Sequence, residues 1–290
     1  MLISSRRAAL LLLPATAIFG VFVIYPLING VLLSFMDSSG PQWGEFVGFD
    51  NYERMLSDPL ALRALGNTIA YTVVVVVVQN ALALLIAYGL YQNPRVRNLV
   101  RGSILLPAMM AFVAVAYLWS YIYNPLNGPL NSVLTSLGLG GLAQSWLGDP
   151  ALAMWSIAAV YIWQFTGYST TIYLANYLAI SPSLMEAAQL DGASGLKRFL
   201  TIDWRLLAPS FTINLTLTVI GSLRVFDLPF IMTEGGPANS TQTLSTVINT
   251  YSFSNFDFSY GTAIAVVLLI LTVIAGVTQA TLLRRREVDL

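Results

Sequence analysis

Long stretches of the chain carry no charged residue, among them 8–36, 66–94, 102–148, 150–185, 206–223 and 258–283. A helix needs about 20 apolar residues to cross the hydrocarbon core of a bilayer. Inside lipid the backbone must satisfy its own hydrogen bonds, so runs of this length are expected to be helical. The pattern predicts spans at residues 9–35, 68–91, 104–123, 152–178, 206–232 and 261–283. The expected fold is an all-α integral membrane protein with six helices, forming one transmembrane domain over residues 1–290. Pro14, Gly20, Pro26 and Gly30 interrupt the first span and predict a bend in it. The second contains six consecutive valines, Val73 to Val78. Its length and flanks favour a helix over a buried strand, and its lack of polar faces predicts lipid contact.

The connections are short. Residues 37–63 are rich in Gly, Pro and acids. From Asn124, "NPLNGPLNSVLTSLGLGGLAQSWLGDP" is too rich in proline and glycine for one helix and predicts a short hairpin or amphipathic turn. No soluble domain and no internal repeat is visible.

Composition agrees with this pattern. Of 290 residues, 56% are hydrophobic and 10% charged, and mean hydropathy is +0.70. Soluble domains carry about 25% charged residues. Net charge is zero, which gives no reason to expect a nucleic-acid partner. The distribution of charge is more informative. Arg6, Arg7, Arg95, Arg97, Arg101, Lys197, Arg198, Arg205, Arg284, Arg285 and Arg286 fall in alternate connections. The opposite connections hold only Arg54 and Arg63 among many acids. Cytoplasmic loops retain basic residues, so both termini and the loop at 181–204 are expected in the cytoplasm of a bacterial or archaeal plasma membrane. The first uncharged run, at 29 residues, exceeds the roughly 7–15 of a signal-peptide core, so it reads as an uncleaved span.

Several chemistries are excluded by residue type. There is no Cys and no His. That removes disulfides, thiolate nucleophiles, Cys or His metal sites and a Ser-His triad. The single Lys, Lys197, follows Leu196 and lacks the Gly-Lys-Ser/Thr context of a phosphate-binding loop. No catalytic residue and no metal ligand is assigned.

The loop at 181–204 stands out. Ser181 can cap a helix that begins at Pro182. Leu184, Met185 and Ala188 share one face of that helix. Asp191-Gly192 breaks it, since glycine tolerates a left-handed backbone. Ser194 can cap a second helix with Leu196, Phe199 and Leu200 on its apolar face. Two short amphipathic helices at a sharp bend are predicted.

The spacing within "EAAQLDGASGLKRFLTI", from Glu186, resembles the cytoplasmic EAA loop of permease subunits in binding-protein-dependent ABC importers. Glu186, Ala187, Ala188, Asp191, Gly192, Ala193, Phe199 and Ile202 match that pattern. "FVGFDNYERML", from Phe46, is similar to an outer-loop Phe-x-Gly-x-x-Asn-Tyr motif of the carbohydrate branch. "FDLPFIMTEGGPANSTQTL", from Phe226, is similar to that branch's Gly-Gly-Pro signature, and "NTYSFSNFDFSYGTAIA" resembles its approach to the last span. The likeness covers essentially the whole chain. One departure is Arg205, where the family often has Pro.

The resemblance implies a six-helix type I importer fold with cytoplasmic EAA coupling helices, maltose and glycerol-phosphate permeases being relatives of this kind. It implies a non-catalytic pore subunit that binds no cofactor itself. Its partners would be a second, different permease subunit, two ATPase subunits that use ATP and Mg, and an extracytoplasmic solute-binding protein. A sugar or sugar derivative would be the substrate. The coupling role falls to Glu186, Ala187, Ala188, Asp191, Gly192 and Ala193, which would dock on the ATPase.

Polar residues within spans usually face a cavity or a partner. Trp163, Gln164, Tyr168 and Asn176 in span four, and Asn214, Arg224 and Asp227 in span five, are the candidates for a substrate path. Arg224 and Asp227 could instead pair on one helix face, and the aromatic residues could belong to interfacial belts. Competing readings are a permease for a polyol, glycerol phosphate or amino acid, and a secondary transporter. The last would need a repeat and more than one buried acid. An intramembrane aspartyl protease would need two facing Asp residues, and Asp227 is the one intramembrane acid.

Overall fold

The computed structural model describes residues 5–40, 43–181, 183–184 and 195–284. Its helices, in chain order, are α1 (Ser5–Phe19), α2 (Tyr25–Leu33), α3 (Asp50–Ser57), α4 (Pro59–Gln92), α5 (Pro94–Leu105), α6 (Phe112–Ile122), α7 (Pro129–Ser136) and α8 (Ala153–Ala179). There follow α9 (Gly195–Arg198), α10 (Trp204–Leu206), α11 (Ala208–Leu223), α12 (Asp227–Thr233), α13 (Leu244–Asn249) and α14 (Phe258–Arg284). A two-stranded ribbon pairs β1 (Met36–Asp37) antiparallel with β2 (Glu45–Phe46). The chain divides into two compact units, residues 1–62 with 247–269 and residues 63–246 with 270–290.

In the first unit a π-helical turn at Gly20–Ile24 joins α1 to α2. It lies where the prolines and glycines predict a bend. Residues Leu12–Leu33 are apolar and almost wholly unburied, as a span facing lipid or a partner would be. The segment after α2 is tied down by the Phe-x-Gly-x-x-Asn-Tyr motif. Asn51 Nδ2 donates to the carbonyls of Ser34 (3.0 Å) and Met36 (2.8 Å). The Tyr52 hydroxyl shares a 2.6 Å hydrogen bond with Ser34 Oγ.

A second set of bonds gathers around Asp58. Its carboxylate accepts from the hydroxyls of Tyr251 (2.6 Å) and Tyr260 (2.8 Å) and from the Leu60 N–H (2.8 Å). Burial works against the charge, but these bonds outweigh it and hold the Asp58 carboxyl below the usual range. Burial, followed by the bond to Asp58, pushes the Tyr251 hydroxyl up to about 12. Beside them Arg54 pairs with Asp257 at 2.6 Å and lies 4.0 Å from the Tyr260 ring centroid.

The second unit is organised on α8. One cluster of buried side chains packs Tyr71 and Val75 of α4 with Val115 of α6, Ile157 and Tyr161 of α8 and Leu228 of α12. Another packs Ala83 and Ala87 of α4 with Tyr173, Leu174 and Tyr177 of α8 and Leu207 and Phe211. The same two helices therefore run through both clusters. That corrects one expectation. The valine-rich span is not uniformly lipid-facing: Val73 and Val77 are exposed, but Val75, Gln79 and Asn80 are buried against protein.

The six expected spans differ in kind. Among the described residues four helices are long and apolar enough to cross a membrane: Leu12–Leu33, Pro59–Gln92, Ala208–Thr233 and Phe258–Leu283. The third expected span is a bent pair, Pro94–Met109 and Phe112–Ile122, meeting at 99° where Met110 and Ala111 are extended, just after the turn that holds Pro107. A proline lacks the N–H that would continue the helix. The fourth, α8, is 27 residues long but less apolar than those four, because its buried face carries Ser156, Gln164, Thr166, Ser169 and Thr170. Span five is interrupted: α11 ends at Leu223 and α12 begins at Asp227. The glycine-rich stretch after Asn124 holds the short helix α7 rather than a hairpin.

The Gly-Gly-Pro signature forms a turn pinned to the head of α4. Arg63 donates to the Ala238 carbonyl (2.8 Å), and Asn67 Nδ2 donates to the carbonyls of Ser240 (3.1 Å) and Gln242 (2.9 Å). The Leu244 N–H donates to Thr68 Oγ1 (2.9 Å). Gly235 has φ +85°, and a Cβ there would overlap the Gln242 side chain. Gly235→Ala is therefore expected to destabilise the protein by about 1–2 kcal/mol from backbone strain alone. A thermal unfolding midpoint unchanged from wild type would contradict this.

Asp58 makes a pH-dependent prediction. Because its folded-state pKa is depressed, its contribution is full above the ordinary carboxyl pKa of about 3.9. That contribution is lost as pH falls through the lower, folded value. Asp58→Asn should lower the unfolding midpoint at pH 7, and the gap to wild type should close as the pH is taken below about 3.9. A gap that stays constant with pH would show that the carboxylate charge plays no part.

Candidate functional site

A cavity of about 540 Å³ opens in the second unit between α4, α6, α8 and the break that separates α11 from α12. Its walls are mostly aromatic and apolar, including Phe112, Tyr161, Phe165, Tyr168 and Phe226. Into them project the polar groups of Gln79, Ser169, Asn214, Thr218, Arg224 and Asp227. A concave apolar site with a few convergent polar groups is the usual form of a small-molecule site.

The amides are held from behind. Gln79 Nε2 donates to Ser169 Oγ (2.9 Å), and Asn214 Nδ2 donates to the Ser169 carbonyl (3.1 Å). Both residues are buried, 3% and 1% exposed, yet Gln79 Oε1 and Asn214 Oδ1 have no hydrogen-bond partner. A buried acceptor without a partner is costly, and both residues line the cavity.

The helix break explains the charged pair. Arg224 caps the end of α11, and Asp227 opens α12 after the non-helical turn at Val225 and Phe226. Among the described residues Arg224 and Asp227 form no ion pair, either with each other or with another residue. Three residues apart on a continuous helix they would be neighbours. Across the break they are not, and both line the cavity instead.

Of the seven path candidates, the structure brings four together here: Tyr168, Asn214, Arg224 and Asp227. The other three are used elsewhere. Trp163 stacks edge-on against Trp119 at 5.3 Å. Gln164 donates to the Met110 carbonyl at 3.2 Å, bracing the bend between α5 and α6. Asn176 donates to Ser210 Oγ at 2.9 Å and joins α8 to α11. Sequence reasoning missed Gln79, Phe165 and Ser169. The signal for Gln79 was present, since a Gln-Asn pair follows the valine run directly.

A second, larger groove of about 670 Å³ is lined by Val76, Val77, Leu84, Trp204, Arg205, Phe211 and Leu215 among others. Its walls carry few polar groups, so it lacks the converging amides of the first cavity. The coupling candidates Glu186, Ala187, Ala188, Asp191, Gly192 and Ala193 lie outside the described residues. Among the described residues no group of three or more His, Cys, Asp or Glu could hold a metal ion.

Residues 79–288 match the family of binding-protein-dependent transport system inner membrane components, and the chain belongs to that family. A probable ABC transporter permease protein of Pyrococcus horikoshii is 35% identical over 91% of both chains. A lactose transport system permease protein of Rhizobium radiobacter is 33% identical over 94% of this chain and 93% of the relative. Among solved structures, a bacterial ABC transporter involved in the import of the acidic polysaccharide alginate has a chain matching with a TM-score of 0.84 at 22% identity, over 95% of this chain and 94% of that one. The fold is that of a type I ABC importer permease, a subunit that carries no ATPase of its own.

Proposed function

We propose that this chain is a pore-forming subunit of an ATP-driven importer for a sugar or sugar derivative, and that the solute passes through the cavity bounded by α4, α8 and the α11–α12 break. The observation that carries the path is the pair of unpartnered amide oxygens, Gln79 Oε1 and Asn214 Oδ1, in an aromatic-walled cavity. Sugar hydroxyls are donors that would satisfy them, and the apolar faces of a sugar ring suit aromatic walls. The likeness to a lactose permease supports a sugar over an amino acid. Arg224 and Asp227 stand at the same cavity and would hold opposite ends of a polyhydroxylated solute.

The remaining assembly follows the family pattern. A second and different permease subunit would complete the pore. Two ATPase subunits would use ATP and Mg beneath it, and an extracytoplasmic solute-binding protein would deliver the sugar. Both termini and the loop containing Glu186, Ala187, Ala188, Asp191, Gly192 and Ala193 would lie in the cytoplasm of a bacterial or archaeal plasma membrane. Glu186 would offer a charge to the ATPase, while Gly192 would allow the bend between the two coupling helices. The six-span count includes α8 and the bent α5–α6 pair as spans.

Two measurements test this reading. In proteoliposomes containing the complete transporter, Gln79→Leu and Asn214→Leu are each expected to reduce uptake about threefold to tenfold, the worth of one hydrogen bond. Insertion and basal ATP hydrolysis should be unaffected. Full uptake by both variants would remove the cavity from the path. Single cysteines report topology cleanly because the natural chain has none. Position 192 should react with an impermeant thiol reagent only from the cytoplasmic side, and position 53, exposed on the same outer segment, only from the outside. Labelling of position 192 from outside would invert the orientation.

A further inference from the structure

At the base of α11, where the chain leaves the coupling loop, two opposite charges are buried together. Arg198 ends α9, and Asp203 ends the π-helical turn Phe199–Asp203 that follows. Their side chains are 8% and 0% exposed, with Nε of Arg198 3.4 Å from Oδ1 of Asp203. The π geometry makes the pair possible. In an α-helix a residue five positions on lies well round the helix, at about 140° beyond a full turn. A π turn repeats from i to i+5, which brings the fifth residue over the first. The Trp204 N–H accordingly donates to the Phe199 carbonyl, five residues back.

The pair is incompletely satisfied. Nε and Nη2 of Arg198 and both carboxylate oxygens of Asp203 have no hydrogen-bond partner, although all four atoms are buried. The nearby Tyr177 hydroxyl is also buried without a partner. The guanidinium lies 5.9 Å from the Tyr88 ring centroid, and Tyr88 and Tyr91 in turn pack on Tyr177 of α8. Buried polar groups are normally matched. Removing one member of a buried pair is strongly destabilising, whereas replacing both with apolar groups often is not. A set of unmatched atoms that joins the loop exit, α4 and α8 at one point is therefore poorly explained as a stabilising core.

We propose that Arg198 and Asp203 are a positioning pair for transport, holding the π turn in one arrangement so that movement of the coupling loop is passed to α11 rather than absorbed in the turn. This rests on the coupling role proposed for the loop around Glu186. The unused donors and acceptors are the groups that would re-pair when the turn shifts. Neither residue touches the solute cavity, so the effect should appear in coupling and not in solute recognition.

The test uses the full transporter in proteoliposomes and reads three quantities: assembly with the ATPases, ATP hydrolysis, and solute imported per ATP hydrolysed. The double variant Arg198→Met with Asp203→Leu removes both charges together and is expected to fold. It should assemble and hydrolyse ATP while solute imported per ATP falls at least about fivefold, and the solute concentration for half-maximal uptake should stay unchanged. Wild-type import per ATP in the double variant would overturn the proposal, because the pair would then be a structural contact only. Loss of assembly would overturn it too, since the pair would then shape the dock. If the double variant does not reach the membrane, Arg198→Lys and Asp203→Glu carry the same test, with reduced import per ATP expected and wild-type import per ATP overturning the proposal. Glu186→Lys separates the two ideas. Should it leave assembly and uptake intact, the reading of the loop fails, whatever the Arg198 and Asp203 variants do.

Discussion

A polar side chain in the hydrocarbon layer must find its partner within the protein, because lipid offers none. Most of the second unit follows from that constraint. Polar residues of α4, α8 and α11 bond to one another: Gln79 to Ser169, Asn214 to the Ser169 carbonyl, Tyr173 to Asn80, and Asn176 to Ser210. Threonines and serines that lack a cross-helix partner donate back to the carbonyl four residues earlier, as Thr166, Thr170, Thr212 and Ser222 do. These bonds gather α4 and α11 around α8, a helix too polar to stand alone in lipid. The few acceptors left unmatched then mark a place where something other than protein is expected.

The two motifs that tie the chain to carbohydrate importers are mainly scaffolding. Asn51 and Tyr52 fasten the outer segment to the end of α2. The Gly-Gly-Pro turn is bonded to the head of α4 through Arg63, Asn67 and Thr68. Such segments recur because they hold loops against helix ends by backbone bonds that few other residue types can make. Their loop portions brace helix ends, while Phe226 and Asp227 at the start of the second motif line the cavity.

Hydropathy made four spans legible, since long apolar runs have no other stable form in lipid. It was less informative wherever a helix is enclosed by protein. Pro107, just before the 99° bend, was a local sign of it that an uncharged run on both sides obscured. The break at Val225 and Phe226 follows directly on the end of the uncharged run at residue 223, but reading Arg224 and Asp227 on one continuous helix hid their separation. The valine run misled in the other direction. Val73 and Val77 face outward, but the buried stripe through Val75 and Gln79 belongs to the core, and a stripe made of the same residue as its surroundings shows no periodicity. Tyr168, Asn214, Arg224 and Asp227 were reached from residue type alone. The rest needed the spatial convergence of α4 with α8, which no local pattern encodes.

One contact sets a mechanical property of the second unit. A Cβ at Gly167 would overlap the Ile104 carbonyl, so the middle of α8 lies directly on the backbone of α5 with no side chain between them. At about 1.5 Å per residue, α8 extends about 21 Å from this point to Ala153 and about 18 Å to Ala179. The helix is thus a beam resting near its midpoint on a hard fulcrum. Tilting about that point returns a displacement at one end as an opposite displacement of nearly equal size at the other, with little lost to the compression of soft side chains at the pivot.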